Sequence, residues 1–361
     1  MEYTLLAPGP TPLPPSVSEI LARPMIHHRT ETFSKAFYSC IEKLKKVYRT
    51  ETSDVLMVTA SGSGGMEAAV VNLLSPGDKA LVCVTGVFGD RFVKLLRAYG
   101  LDPIVISTEL GRALDPDKLK NQLLMFPDVK AVFLQHTDTS TGIVNDVKTI
   151  ANVIRDNSDA LIVIDAISGL AAEELQTDAW DLDVVVAGSQ KGLMAPPGLA
   201  FFCISPNAWK AVDEARLPRF YFDWKALRFA AEKGQTPYTP AVNVVFAQEE
   251  ALRLITAEGI ENVWKRTSEL ASFARAEVKK RGWNLFAKDP ANILTGIVMP
   301  EGTDSQAVVS AILAEDNISI AGGQASLAGK IVRLAHMGYI QKADVERGFS
   351  ALEKRISITT T

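Results

Sequence analysis

The chain has 361 residues, enough for two packed domains of ~100–200 residues each. With 22% charged and 47% hydrophobic residues it has the balance of an ordinary soluble globule, which excludes collagen-like, disulfide-built and extensively disordered designs. Net charge is −4 and no basic block stands out, so no nucleic-acid partner is expected.

Residues 1–8 carry neither a basic segment nor a sustained apolar run, and no signal peptide is read there. The proline-rich stretch 7–15 predicts an extended arm that cannot be helical. Short apolar runs follow at 55–59, 79–84, 103–107, 130–134, 160–164, 183–187 and 199–204. Most are continuous rather than alternating, as in strands covered on both faces. Between them, 66–74, 91–99 and 147–154 show helical spacing, and Pro-Gly-Asp or Tyr-Gly signals end several helices. This alternation predicts an α/β fold with one mainly parallel, doubly wound sheet. The charge-free stretch 192–209 holds three prolines and an asparagine, so it is no membrane helix and no membrane partner is expected.

From about Phe246 the pattern changes. Helical spacing at 245–254 and 260–281 leads to apolar runs at 293–299 and 330–334, with helices near 305–315 and 342–354. That predicts a smaller C-terminal α+β domain. The expected division is an arm at 1–18, a large domain at 19–250 and a small domain at 251–361.

Ligands of open α/β sheets bind beyond the carboxyl ends of the strands, so the residues following each run carry the functional signal. These are Ala60-Ser-Gly-Ser-Gly-Gly65, Thr85-Gly-Val-Phe-Gly89, Gln135-His-Thr-Asp-Thr-Ser-Thr-Gly142, Asp165-Ala-Ile-Ser168 and Gly188-Ser-Gln-Lys191. The loop Ser61–Gly65 enters a helix directly. Its N–H groups could cradle a phosphate, or Ser61 could simply cap a glycine-rich turn. It is neither a Walker loop nor a full dinucleotide fingerprint, because Glu67 occupies the third glycine position. Asp165 closes an apolar strand, where an unpaired carboxylate is costly. Lys191 by itself could be a solvated lysine. An acid able to face a pyridinium nitrogen, a lysine able to form a Schiff base and a phosphate loop are together the parts of a pyridoxal 5'-phosphate (PLP) site.

Other chemistries find less support. His27, His28, His136 and His336 lack metal-ligand spacing, and no Cys-x-x-Cys is present, so no metal is expected. No Gly-x-Ser-x-Gly elbow occurs, which lowers serine hydrolysis. Cys40, Cys83 and Cys203 are too few and too scattered for a disulfide framework and suit a reducing cytoplasm.

Nearly end to end, from Pro8-Gly-Pro to the last helix, the chain resembles the class V, fold-type I PLP aminotransferases of the alanine–glyoxylate and serine–glyoxylate (serine–pyruvate) group. The most specific segments are Gly188-Ser-Gln-Lys-Gly192 with Pro196-Pro-Gly198, and the spacing from Asp165 to Lys191. The resemblance implies that Lys191 carries the cofactor as a Schiff base and shuttles a proton, while Asp165 faces the protonated pyridine nitrogen. It implies a phosphate cup at Ser61, Gly62 and Ser63 with a further contact from Gln190. Phe88 would stack on the ring and Ser140 would lie near its 3' oxygen. Arg333 would clamp the substrate α-carboxylate, for which its planar fork is suited. Gly9, in the arm, and His28, beside Arg29, match segments close to the substrate. The loop Thr236-Pro-Tyr-Thr-Pro240 matches one reaching the phosphate of the other subunit in a homodimer, with Tyr238 and Thr239 competing for that role.

One departure bears on function. The stretch 320–330 has no cysteine, so the cysteine desulfurase branch is disfavoured. The expected activity is a cytoplasmic, homodimeric aminotransferase moving an amino group from alanine or serine to glyoxylate or pyruvate by a ping-pong mechanism. One carboxylate-binding arginine argues against a dicarboxylic donor, although Arg29 or Arg219 could supply a second; aspartate and other 2-oxo-acid aminotransferases are the alternative. A nucleotide-binding oxidoreductase and a non-catalytic scaffold are the more distant ones.

Overall fold

The computed structural model describes residues 3–356; residues 1–2 of the expected arm and 357–361 of the expected small domain lie outside the described residues. Each of the seven apolar runs in the first part of the chain forms a strand. They are β1 (Asp54–Ala60), β2 (Lys79–Val84), β3 (Ile104–Ser107), β4 (Val129–Gln135), β5 (Leu161–Asp165), β6 (Val184–Gly188) and β7 (Gly198–Ile204). They form one sheet in the order β1-β7-β6-β5-β4-β2-β3. The β3-β2-β4-β5-β6 ladder is parallel, and β7 runs antiparallel to both β6 and β1.

The continuity of the central runs follows from burial on two sides, whereas the edge strand β3 keeps Val105 exposed. Along β4 and β5, Val132, Leu134, Ile162 and Ile164 face one core, while Ala131, Phe133, Leu161 and Val163 face another. The first core is closed by the helices Glu31–Tyr48, Val147–Asn157 and Val242–Glu258; the second by Gly62–Leu73, Val87–Ala98 and Pro206–Glu214. Each fully buried Leu, Val or Phe contributes roughly 1.5–3 kcal/mol. The sheet is therefore doubly wound and mainly parallel, as expected.

The C-terminal part folds around a separate core that includes Leu270, Val278, Ile297, Leu334 and Phe349. Its four-stranded sheet is antiparallel, in the order Asn284–Leu285, Leu294–Val298, Ile331–Ala335, Ala321–Gly322. The N-terminal arm is tied to this smaller unit. Thr4–Leu5 pairs in parallel with Ile318–Ser319, and Leu6 enters its core.

Two local features differ from the sequence reading. Pro15, placed in the extended arm, is the first residue of the helix Pro15–Leu21, where its missing N–H and fixed φ cost nothing. The 18-residue helix Glu31–Tyr48 is not among the expected elements, although Phe33, Phe37, Cys40, Leu44 and Val47 lie at helical spacing on its buried side. Its start is capped by the Thr30 side chain, which accepts from the Phe33 N–H.

Candidate active site

Strand register brings the functional endings to one level. Ala60 stands opposite Gly198, Ala200 opposite Gly188, Val186 opposite Asp165, and Asp165 opposite Gln135. The chain leaves β2 for the edge strand β3 and returns to start β4 on the other side of β2, so a crevice opens between these strands, where α/β sheets hold ligands. A cavity of about 260 Å³ lies at this end of the sheet. Its walls include Gly9, Ser61, Gly62, Ser63, Phe88, Asp165, Gln190 and Lys191 of the expected set. A larger cleft of about 1030 Å³ lies elsewhere, lined by side chains of mixed charge such as Lys46, Arg49, Glu51 and Glu261. Size does not mark the site here; convergence of strand ends does.

Lys191 sits in a tightly stapled loop. The Ser189 hydroxyl donates to the Pro196 carbonyl (2.5 Å) and accepts from the Leu199 N–H (3.2 Å), while Met194 N–H closes a turn on the Lys191 carbonyl (3.0 Å). The arm fixes it from the other side. Thr11 donates its N–H to the Gln190 carbonyl and its hydroxyl to the Lys191 carbonyl, each at 3.0 Å, and the Lys191 ammonium donates to the Pro8 carbonyl. Gly9 has φ +116° and lies so close that a β-carbon there would meet the Lys191 side chain. Burial, assisted by the Arg333 charge, brings the Lys191 ammonium down to about 8, with Asp165 opposing.

Asp165, the last residue of β5, is buried and accepts the Ile167 N–H at 2.9 Å. Burial pushes its carboxyl up to about 7, against the pull of that N–H and of the Arg91 and Lys191 charges. The helix Gly62–Leu73 begins at the cavity, with the Ser61 hydroxyl capping the Gly64 N–H at 3.4 Å. Its glycines permit close packing: a β-carbon at Gly62 would come within 2.7 Å of Ile167, and one at Gly65 within 2.8 Å of Val186. The N-terminal end of this helix thus opens into the cavity with free N–H groups and positive polarity.

Arg333 lies in the buried strand Ile331–Ala335, beside the cavity and not among the residues of its wall. Its Nε donates to the Gly322 carbonyl (2.9 Å) and its Nη1 to the Thr139 carbonyl (2.6 Å), so it bridges the small and large units. Burial lowers it to about 10, with Asp138 opposing.

The remaining expected residues lie apart. Ser140 is buried behind the wall, its hydroxyl donating to Asp138 (2.5 Å) and accepting from the Val87 N–H (2.9 Å). Tyr238 and Thr239 line a different, small crevice with Thr59 and Tyr221. His28 occupies a turn at the surface, its ring 4.7 Å from that of His27. Of the two arginines considered as a second clamp, Arg219 is spent on the carbonyls of Val71, Val212, Ala215 and Leu217, and Arg29 donates to Gln235.

Three contributors have no role of their own in the sequence reading: Thr137 and Asp138 lie within the polar ending 135–142, and Arg91 lies outside all of the endings. Asp138 is fully buried and accepts from the N–H groups of Phe88 (3.1 Å) and Gly89 (3.4 Å), capping the helix Val87–Ala98 that carries Phe88. Thr137 and Arg91 line the cavity. Arg91 follows Phe88 by one turn of that helix, but the same spacing fits a surface arginine, so no sequence signal singles it out.

The Aminotransferase class-V family profile matches residues 11–347. The chain is 39% identical over 353 residues to the soluble hydrogenase 42 kDa subunit of Anabaena cylindrica, covering 97% of this chain and 92% of that one. Identity to the L-aspartate–glyoxylate aminotransferase of Paracoccus denitrificans is 33% over 355 residues, with 97% and 90% covered. The fold is similar to the crystal structure of an alanine–glyoxylate aminotransferase from Nostoc sp., with a TM-score of 0.94 at 29% identity over 99% of this chain and 96% of that one.

Proposed function

Because the chain belongs to the class-V aminotransferase family, we propose that this transaminase uses pyridoxal 5'-phosphate and moves an amino group from alanine or serine to glyoxylate or pyruvate, in two half-reactions. One observation carries the reading: Asp165, Lys191 and the N-terminal end of the helix Gly62–Leu73 converge on a single cavity. The donor set fits the cofactor. A buried acid suits a pyridinium, an amine near neutrality suits an aldehyde, and a helix N-terminus with Ser61 and Ser63 suits a phosphate. The Gln190 Oε1 atom is buried without a hydrogen-bond partner in the same wall.

When bound, the cofactor supplies an aldehyde that amines attack and a ring that accepts electrons. The chain's residues do the rest. Lys191, lowered to about 8 by burial, has an appreciable neutral fraction near pH 7–8 and can hold or release a proton at Nζ. The Pro8 carbonyl and the stapled loop orient that nitrogen. Asp165 is held in place by the Ile167 N–H, and a cation beside it would keep it ionised. Arg333, already fixed on two carbonyls, is the group offered to a substrate carboxylate.

The same proposal places the arm at 1–18, the cofactor-holding domain at 19–250 and the small domain at 251–361, with the helix Val242–Glu258 running across the second boundary. It also assigns a homodimer. Tyr238, Thr239 and His28 lie away from the cavity of their own chain, which supports their acting across a subunit boundary. Three buried free cysteines support a reducing cytoplasm. The Asp165–Lys191 pair has no role in dinucleotide binding, which favours this reading over a nucleotide-binding oxidoreductase.

The test is reconstitution of the purified protein with PLP, borohydride reduction and peptide mass mapping. Alanine, serine and aspartate are then added singly to unreduced protein while absorbance is followed. A covalent adduct on Lys191 and a spectral change with one donor are expected, and the responding donor identifies the substrate. An adduct elsewhere, or none, would overturn the assignment; a spectral change with no turnover on any 2-oxo acid would favour a non-catalytic role.

A further inference from the structure

Arg91 is the cation of the cavity that the proposed chemistry leaves unused. Its Nη1 donates to the Ser63 hydroxyl at 2.7 Å, and its guanidinium lies 4.7 Å from the centre of the Phe88 ring. Among the described residues its contacts are this serine and this ring, and no carboxylate forms an ion pair with it. It lines the cavity, and its charge reaches both Asp165 and Lys191.

We infer that Arg91 is a positioning residue for the phosphate end of the site, acting through Ser63. The inference rests on the reading of the cavity as a PLP site. An arginine has no acceptor, so in the Arg91–Ser63 contact the serine oxygen receives the hydrogen. That leaves the Ser63 hydroxyl proton free to be donated to an anion, and a positively charged donor behind it strengthens this bond. The three cations around the cavity then have separate tasks: Lys191 toward an aldehyde, Arg333 toward a substrate carboxylate, and Arg91 toward a phosphate that the helix N-terminus alone meets only with partial charge. The Phe88 ring and the Ser63 hydroxyl together hold the guanidinium beside the cavity.

The experiment compares binding of PLP and of pyridoxal, its phosphate-free analogue, to wild type, Arg91→Gln, Arg91→Lys and Ser63→Ala, followed by absorbance and protein fluorescence without substrate. Expected is a loss of PLP affinity of about 10- to 100-fold in Arg91→Gln, with pyridoxal affinity within about twofold of wild type. Arg91→Lys should recover part of the loss, and Arg91→Gln should have a much smaller effect in a Ser63→Ala background. A parallel loss for both ligands would make Arg91 a general structural residue and overturn the inference, as would an unchanged PLP affinity. Wild type that binds neither ligand would instead defeat the PLP reading itself.

Discussion

A carboxylate or an amine at a strand end is chemically ordinary until its surroundings are known, and Asp165 shows how far surroundings move it. Its ordinary value is 3.8, and burial raises it to about 7. A folded-state value above the unfolded one means that the folded protein binds the proton more tightly. The cofactor-free protein therefore loses stability at this residue as pH rises from about 4 through about 7. Asp165→Asn should melt a few degrees higher than wild type at pH 8 in the absence of PLP, with the difference vanishing near pH 4. Thermal melts at the two pH values check this, and an equal shift at both would assign it to packing. Arg333 makes the opposite case, a charge already satisfied on one side. Arg333→Ala should raise the KM for the amino donor by about 10- to 100-fold, with a smaller change in kcat. Steady-state kinetics decide it; an unchanged KM would move carboxylate recognition to another residue.

Among the elements, the helix Gly62–Leu73 does most to set the geometry of the cavity. It is buried along nearly its whole length, against β6 and β7 on one side and the segment 219–224 on the other. Asn72 fixes that segment, donating to the Phe222 carbonyl (2.6 Å) and accepting the Trp224 N–H (3.0 Å). The close approach to the sheet depends on Gly65, where an added β-carbon would stand 2.8 Å from Val186 and 3.2 Å from Ala200. Gly65→Val should destabilise the protein by about 1–3 kcal/mol and push the helix start away from Lys191. Urea denaturation reads the first effect and PLP affinity the second. A stable Gly65→Val variant with full PLP affinity would show that the helix is not seated by this contact.

At the scale of the whole molecule, the arm and the small unit meet at the cavity. Leu6 packs in the small core and its carbonyl accepts the Ala335 N–H (2.8 Å), while Pro8, Gly9 and Thr11 enclose Lys191. The chain thus links the strand that carries Arg333 to the loop that carries Lys191. The position of Tyr238 and Thr239, off the cavity, leads to a prediction about assembly. If they serve the partner's site, mixing a Lys191→Ala chain with a Tyr238→Phe/Thr239→Ala chain should restore activity to roughly a quarter of wild type, since half of the dimers would each hold one intact site. Activity measured after subunit exchange checks it. No recovery, with mixed dimers verified by mass, would return both residues to their own chain.

By itself the sequence determined the strands and the polar endings beside them. A strand buried on two faces must be apolar at every position, so its limits are visible in one dimension, and so is the polar residue that stops it. Asp165, Lys191 and the serine-glycine loop were legible for that reason. What the tertiary structure decided is which endings converge and which polar groups are already committed. The Ser140 hydroxyl accepts the N–H of Val87, 53 residues away, and Arg219 donates to the carbonyl of Val71, 148 residues away; hydrogen bonds between residues so distant in sequence leave no periodicity. Arg91 belongs to the same class. One turn beyond Phe88 it looks like any surface arginine of an amphipathic helix, and only the meeting of that helix with the Ser61–Ser63 turn makes it part of the cavity.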